Sequence, residues 1–486
     1  MNRYQTFIIV KYIEDIFYYI TIKMEDESVQ EYTENSSCDD DDSSYSAYSV
    51  SGLFSLDMLT NDDIAEIITD IYEQIDTYFQ DNIIQLSSPS FYSDICTDIT
   101  ETLYQEWEMA DLCEEEDYDE ITELVESVME TYNICNGLPQ RSQPYTLNTI
   151  CALKPDEKTM LSKQIAYLQS IPQHEQRSPE WYAFRNELIT ASNLWKVFGS
   201  QSQINSLIYE KCKSADADNT EQKVFTNINS PMHWGVKYEP VTVMLYETMY
   251  QTKIGQFGCI QHPEYSFIGA SPDGINIEPD SNRYGRMIEI KNIVNREING
   301  IPKEEYWIQT QIQMETCNLD KCDFIETRII EYPTEAEFYS DTVSEYKGVI
   351  LHFMPRKIGA TDAPPVYRYM PLNILTEKHP IHSWVEATKQ DARDQDLVLF
   401  TTIYWHLAEI SCVLIERNRK WFAAAVNQIQ NVWNTILLER TNGYEHRAAK
   451  KRIPKIVVNT NNLSDTHTIQ NMPDNKKICL LKLDFS

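Results

Sequence analysis

The sequence predicts an α/β domain, a mixed sheet flanked by helices, preceded by an acidic and mainly helical segment. Two patterns carry this expectation. Between residues 253 and 372, short runs rich in Ile, Val, Phe and Tyr alternate with a helical stretch at 303–318, the rhythm of a mixed sheet with helical crossings. Earlier, Ile64, Ile67, Ile68, Ile71, Ile75 and Phe79 recur every three or four residues behind Thr60 or Asn61, both good helix caps, and Ile121, Leu124, Val125, Val128, Met129 and Tyr132 repeat the pattern. Charge divides the chain at the same place. Residues 1–150 hold 34 of the 75 acidic residues and four of the 41 basic ones (Arg3, Lys11, Lys23 and Arg141), so they carry −30 of the total −34. The remainder is close to neutral and free to present local basic grooves. We therefore expect an acidic region over 1–150, a catalytic or binding domain over 151–440 and a basic, then polar, tail over 441–486.

The N-terminal apolar run at 6–22 is interrupted by Lys11, Glu14 and Asp15, which excludes a signal peptide and a membrane span as readings. Eleven cysteines without a Cys-x-x-Cys pair argue for free thiols in a reducing compartment. A soluble intracellular protein is expected. Residues 1–23 suggest one or two strands, and 24–50, with Asp39 to Asp42, a disordered linker. The acidic helices read either as a solvated face or as a module that docks a basic partner or mimics DNA.

Past residue 150 the elements follow in order. A helix is expected at 156–170, then a capped start at Ser178-Pro179 leading through Trp181, Phe184 and Arg185. Ile189-Thr190 marks a break before Ala191-Ser192 and a helix through Trp195. Ser230-Pro231 opens another helix, carrying Trp234 and Glu239, and strands follow at 253–260, 266–270 and 286–294. Beyond the helix at 303–318, strands are expected at 324–331, 349–354 and 367–372, a helix near 384–393, an apolar segment at 404–414 and a helix carrying Trp421 and Trp433, whose stripe reads as core. His379 and His382 have helical spacing for a metal pair, but Pro380 and the missing third ligand weaken it.

The chemistry concentrates in Phe267 to Ile275 and Arg286 to Asn292. Asp273 stands in a Pro-Asp-Gly turn, and Glu289 and Lys291 are two apart on the following run, so both project from one face of a strand. Two carboxylates and an amine at one point suit a hard divalent cation and an activated water. On these residues alone, that centre and a solvated hairpin are equally good readings.

Five motifs in order extend the pattern: Trp181 to Arg185 with Ile189 to Ser192; Trp234, Gly235, Tyr238 and Glu239; Ser271 to Gly274; Glu289 to Lys291; and Tyr306, Gln309 and Gln311. Together they resemble the lambda-exonuclease-like, YqaJ-type viral recombinase branch of the PD-(D/E)XK nucleases, from about residue 177 to 331. The resemblance implies Asp273 and Glu289 as principal metal ligands with the Ile290 carbonyl, Glu239 in support, Lys291 orienting or deprotonating the water, and Gln309 touching the shell. It implies Arg185, Ser192 and Ser271 as a pocket for a terminal 5′-phosphate. The implied activity is Mg²⁺-dependent hydrolysis, with Mn²⁺ a substitute, trimming duplex DNA with free ends 5′ to 3′ for recombination or repair in a phage or large DNA virus. A single-strand annealing protein and homo-oligomerisation are the implied partners. An endonuclease or resolvase on the same fold, and an inactive DNA- or partner-binding relative, are the alternatives. Where the family often has Cys-Pro after the lysine, this chain has Asn292-Ile293, and the spacing of Arg296 does not cleanly match a phosphate-contacting arginine.

Overall fold

In the computed structural model the described residues are 60–144, 153–176, 178–213, 228, 230–356 and 364–449. The expected strands of 1–23, the linker of 24–50 and the basic residues from Lys450 to Lys455 lie outside them. The acidic region opens with α1 (Asn61–Asn82), whose Thr60 cap accepts from Asp63 N–H while the Asp63 carboxylate accepts from Thr60 N–H. This reciprocal cap satisfies two otherwise orphaned donors. The isoleucine stripe is inward, with Ile71 and Ile75 fully buried. Helix α2 (Phe91–Met109) buries Phe91, Ile95, Ile99 and Leu103, a stripe spaced four apart that the sequence reading passed over. Helix α3 (Tyr118–Asn136) ends at Gly137, whose φ of 59° gives a left-handed cap. Leu138 N–H then reaches Asn133 O at 2.9 Å, closing the helix end. Phe79 packs against both Phe91 and Tyr132, which ties the three helices together.

These helices do not form a core of their own. The buried apolar cluster that begins at Ile68 continues without a gap through Trp307 to Ile436. Polar pegs cross the junction: Trp421 Nε1 donates to Ile84 O (3.1 Å), Trp307 Nε1 donates to Arg141 O (2.9 Å), and Ser87 Oγ donates to Glu304 Oε1 (2.8 Å). The buried Arg141 guanidinium donates in turn to Ser87 O, which uses the one described basic residue of the acidic region as a structural clamp. Strand β1 (Gln143–Pro144) completes the attachment by pairing at the sheet edge.

Further on come α4 (Pro155–Ser170), α5 (Pro179–Asn186), β2 (Ile189–Thr190), α6 (Ala191–Leu194), α7 (Gln201–Cys212) and α8 (Pro231–Tyr250). Ser178 and Ser230 cap α5 and α8 as their sequences imply, accepting from Trp181 N–H and His233 N–H. The run at 253–260 is two short strands, β3 (Ile254–Gly255) and β4 (Ile260–Gln261), followed by β5 (Ile268–Ala270), β6 (Gly274–Asn276) and β7 (Met287–Asn292). Then follow α9 (Glu304–Cys317), β8 (Lys321–Glu331), α10 (Glu335–Ser340), β9 (Lys347–Pro355), β10 (Val366–Tyr369), α11 (Lys378–Asp394), β11 (Leu397–Glu416) and α12 (Arg419–Asn442). The main sheet runs β10-β9-β11-β8-β7-β6-β3, with β1 on β11, and β2-β5-β4 form a second small sheet. Among the described residues only β7–β8 is parallel in the main sheet, and α9 supplies the crossover between them. The segment expected at 404–414 is a strand of 20 residues. Its first half pairs with β9 and its second with β8, with register shifts at Leu399/Thr401 and Leu407/Glu409. The mixed α/β expectation holds.

Trp421 is fully buried, edge-on to Trp307, and hydrogen-bonded across the junction. Replacing it with Ala should cost about 3–5 kcal/mol. Chemical denaturation followed by far-UV circular dichroism should still show one cooperative transition. Two separated transitions would contradict a shared core.

Candidate active site

The turn between β5 and β6 is set by close approach. A Cβ at Gly274 would run into Ile254 Cγ2 of β3, so only glycine lets β6 begin this close to β3. Antiparallel pairing matches Gly274 with Ile288 and Ile275 with Met287. Continued by one residue, this register sets Asp273 opposite Glu289. Asp273 Oδ2 accepts from Ile290 N–H at 2.7 Å. On β7, Ile288 and Ile290 face a buried cluster with Tyr246, Ile254 and Ile325, which turns Glu289 and Lys291 to the other side.

Glu289 is 1% exposed, and its charge is held by a ring of donors. Lys291 Nζ (2.5 Å) and Gln309 Nε2 (2.7 Å) bind Oε1, and Gln313 Nε2 (2.8 Å) binds Oε2. Lys291 also donates to Gln309 Oε1 at 3.3 Å and lies 4.6 Å from the Tyr306 ring centroid. Tyr306, Gln309 and Gln313 are at i, i+3 and i+7 of α9, one face of a helix. Gln313 was not among the expected site residues, although its spacing from Gln309 is the signal that finds it. It also donates to Ser271 O at 3.3 Å, so one amide links the Ser271 turn to Glu289. Gln311 points elsewhere, donating to Glu416 O and accepting from Asn418 N–H.

Glu239 is exposed on α8, and its charge is felt at Asp273. Asn292 holds that helix against the strands: its Oδ1 accepts from Thr242 (2.8 Å) and Thr327 (2.7 Å), and its Nδ2 donates to Gly235 O (3.3 Å). The departure after the lysine thus has a structural use.

Withdrawal from water, together with the charges of Glu289 and Glu239, holds the Asp273 carboxyl well above the ordinary carboxylate range; Lys291 and the Ile290 N–H oppose this and do not overcome it. For Lys291, burial favours the neutral amine, yet Glu289 and Asp273 outweigh it and leave the ammonium above its ordinary value. A bound cation would depress it, but the protein's own charges act the other way. Among the described residues, no three His, Cys, Asp or Glu side chains close on one point as a metal cage. The donor chemistry nevertheless fits a hard divalent ion: oxygen ligands only, with like charges that raise the proton affinity of Asp273 until a cation neutralises them.

Arg185 lies in the last turn of α5, its guanidinium 4.4 Å from the Trp181 ring centroid. Both line a cleft of about 310 Å³ with Thr190, Asn193, Glu210 and Lys211 among its walls. Parallel pairing of β2 with β5, Thr190 against Gly269, brings the ends of the two strands together, with Ser192 in α6 just past one and Ser271 just past the other. Neither serine lines the cleft. The exposed Ser192 hydroxyl lies 3.4 Å from Thr190 Oγ1, and the buried Ser271 hydroxyl has no partner among the described residues. His379 and His382 are exposed on α11, while Trp421 and Trp433 belong to the core.

Pro272-Asp273 in a turn, with Glu289 and Lys291 on the neighbouring strand, sets two carboxylates and an amine together on a mixed α/β sheet. Residues 180–320 match the YqaJ-like viral recombinase domain. A curated relative, an uncharacterized protein of Acanthamoeba polyphaga mimivirus, is 29% identical over 307 residues, covering 56% of this chain and 54% of that one. The chain therefore spans about half the length of that relative. Among solved structures, the alkaline exonuclease LHK-Exo from Laribacter hongkongensis is similar with TM-score 0.30 and 20% identity, over 55% of this chain and 95% of that one. A phage related exonuclease from Haemophilus somnus 129PT gives TM-score 0.27 and 15% identity, over 52% and 96%. Among the described residues no helix is long and apolar enough to cross a membrane.

The raised Asp273 value fixes a sign. A carboxyl whose folded value exceeds its unfolded one contributes stability below the unfolded value and loses it as pH rises through the folded one. In chelator, Asp273→Asn should therefore melt above the parent at pH 7.5. The gap should close towards pH 4, and excess Mg²⁺ should stabilise the parent more than the variant. Thermal unfolding across pH checks all three.

Proposed function

We propose that this chain is a metal-dependent DNA nuclease that trims duplex ends in the 5′ to 3′ direction. The observation that carries the reading is the convergence of Asp273, Glu289, Lys291 and Gln309 at one point, with Glu239 in electrostatic range. Asp273 and Glu289, with the Ile290 carbonyl and support from Glu239, would hold Mg²⁺ or its substitute Mn²⁺. Such an ion, when bound, supplies charge neutralisation at the scissile phosphate and a more acidic water. Lys291 is within hydrogen-bond reach of Glu289 and Gln309, and would orient the attacking water and steady the charge that develops on phosphate. Gln309 would keep that lysine directed, and Gln313 would hold Glu289 in place from the far side.

Choice of an end is supported by the cleft beside Arg185, where a planar guanidinium already stacked on Trp181 is pre-ordered for phosphate. The Ser271 hydroxyl, buried and unpartnered among the described residues, is a further donor two residues from Asp273. Ser192, outside the cleft wall, would add a hydroxyl from the segment that follows β2. The single-stranded tail left by such trimming is what a single-strand annealing protein would take.

Linear duplex labelled at either end, with and without a 5′-phosphate and with Mg²⁺ or chelator, tests this directly. Mononucleotides should appear from the 5′-phosphorylated strand only with the metal. Lys291→Ala should lower the rate about 10²–10⁴-fold, the range for loss of a proton-handling group, with DNA binding retained. Cutting of closed circular duplex would replace the exonuclease reading with an endonuclease one.

A further inference from the structure

Lys211 carries an observation that the catalytic centre does not use. It lies in the last turn of α7, is 6% exposed, and forms part of the wall of the cleft that holds Arg185. Its ammonium makes a single hydrogen bond among the described residues, to Arg185 O at 2.8 Å. Neither Lys211 nor the Arg185 side chain forms an ion pair among those residues. Glu210 shares the cleft, but its carboxylate is taken by Asn193 Nδ2 (3.2 Å) and Lys196 Nζ (3.3 Å). The neighbouring Arg440 is satisfied by Glu187 (3.0 Å) and by the carbonyls of Asn186 (2.6 Å) and Lys211 (3.0 Å). Arg185 and Lys211 therefore face a cleft that Lys213 also lines, without an anion of their own, and a buried charge such as that of Lys211 is costly until paired. A lone C-terminal cap for α5 would need Lys211 only at the carbonyl; it leaves two of the three ammonium donors unused.

We propose that Lys211 is a specificity-determining residue of the end-binding cleft, a second cation that, with Arg185, binds a terminal 5′-phosphate. This rests on the end-binding reading of the same cleft given above. A cleft of about 310 Å³ has room for a phosphate group, whose oxygens can accept from the Arg185 fork and the Lys211 point charge together. Burial pushes the Lys211 ammonium down to about 8; Arg185 and Arg440 add to the shift, while Glu210 and Cys259 oppose it. Preference for a phosphorylated end should therefore fade as pH rises through that value.

The test is the ratio of kcat/KM for 5′-phosphoryl over 5′-hydroxyl duplexes, measured from pH 6.5 to 9.5. Taking the ratio cancels titrations at the catalytic centre that both substrates share. The parent ratio should fall about tenfold across the range, the worth of one charge-assisted hydrogen bond. Lys211→Met should show a ratio about tenfold lower at pH 7, flat with pH, and Lys211→Arg should restore most of it. A folded Lys211→Met with the parent ratio would overturn the proposal while leaving the end-binding cleft intact. A parent ratio above one that does not change with pH would do the same, and it requires no variant to fold. A parent ratio of one at every pH would instead overturn the end-binding reading itself.

Discussion

The crowding of two carboxylates across the β6–β7 pair is the constraint on which the rest depends. Register brings Asp273 opposite Glu289, and Glu289 is almost fully buried. Burying such a charge costs several kcal/mol unless it is paired and hydrogen-bonded. The surrounding sequence answers that cost with donors: Ile290 N–H for Asp273, and Lys291, Gln309 and Gln313 for Glu289. Helix α9 has its amide row because β7 has its glutamate. The crowding that destabilises the pair by itself is also what gives it affinity for a cation, so strain and function share one origin.

Helix α12 links this centre to more distant parts of the chain. Near its start, Trp421 joins the acidic helices through Ile84 and packs on Trp307 of α9. Near its end, Arg440 binds Asn186 O and Glu187, fixing the turn that follows Arg185. The acidic helices consequently support α9 from behind through a common core. Their charge lies on faces turned away from that core, and their apolar stripes do the packing.

Much of this was legible in the residues. Capping chemistry at Thr60, Ser178 and Ser230 is local, and so is the two-residue period that puts Glu289 and Lys291 on one face. What depended on tertiary contact was harder to read. The switch in charge near residue 150 marks a change of solvent-facing surface, not a boundary between cores, because net charge reports on exposed positions. Helix α2 presents one apolar residue every fourth position, a narrow stripe diluted by acidic neighbours. The first half of β11 pairs with β9, and its Thr401-Thr402 pair with the exposed Val398 and Phe400 breaks the inward-outward alternation that would mark it as a strand. Lys211, in a Lys-Cys-Lys run, resembles surface sequence, and only the packing of α7 against α5 and α12 shows that it is buried. The state of Lys291 depends on the balance of all nearby charges, which spacing alone does not reveal.

Calorimetric titration of Mg²⁺ into the full chain, repeated in buffers of different ionisation enthalpy, tests the central claim most directly. If Asp273 holds a proton because Glu289 and Glu239 crowd it, cation binding must release that proton. The parent should show proton release near neutral pH, and Asp273→Asn should bind the ion more weakly and release none. Binding with no buffer dependence, or proton release unchanged in Asp273→Asn, would contradict the assignment of this carboxylate pair as the metal centre.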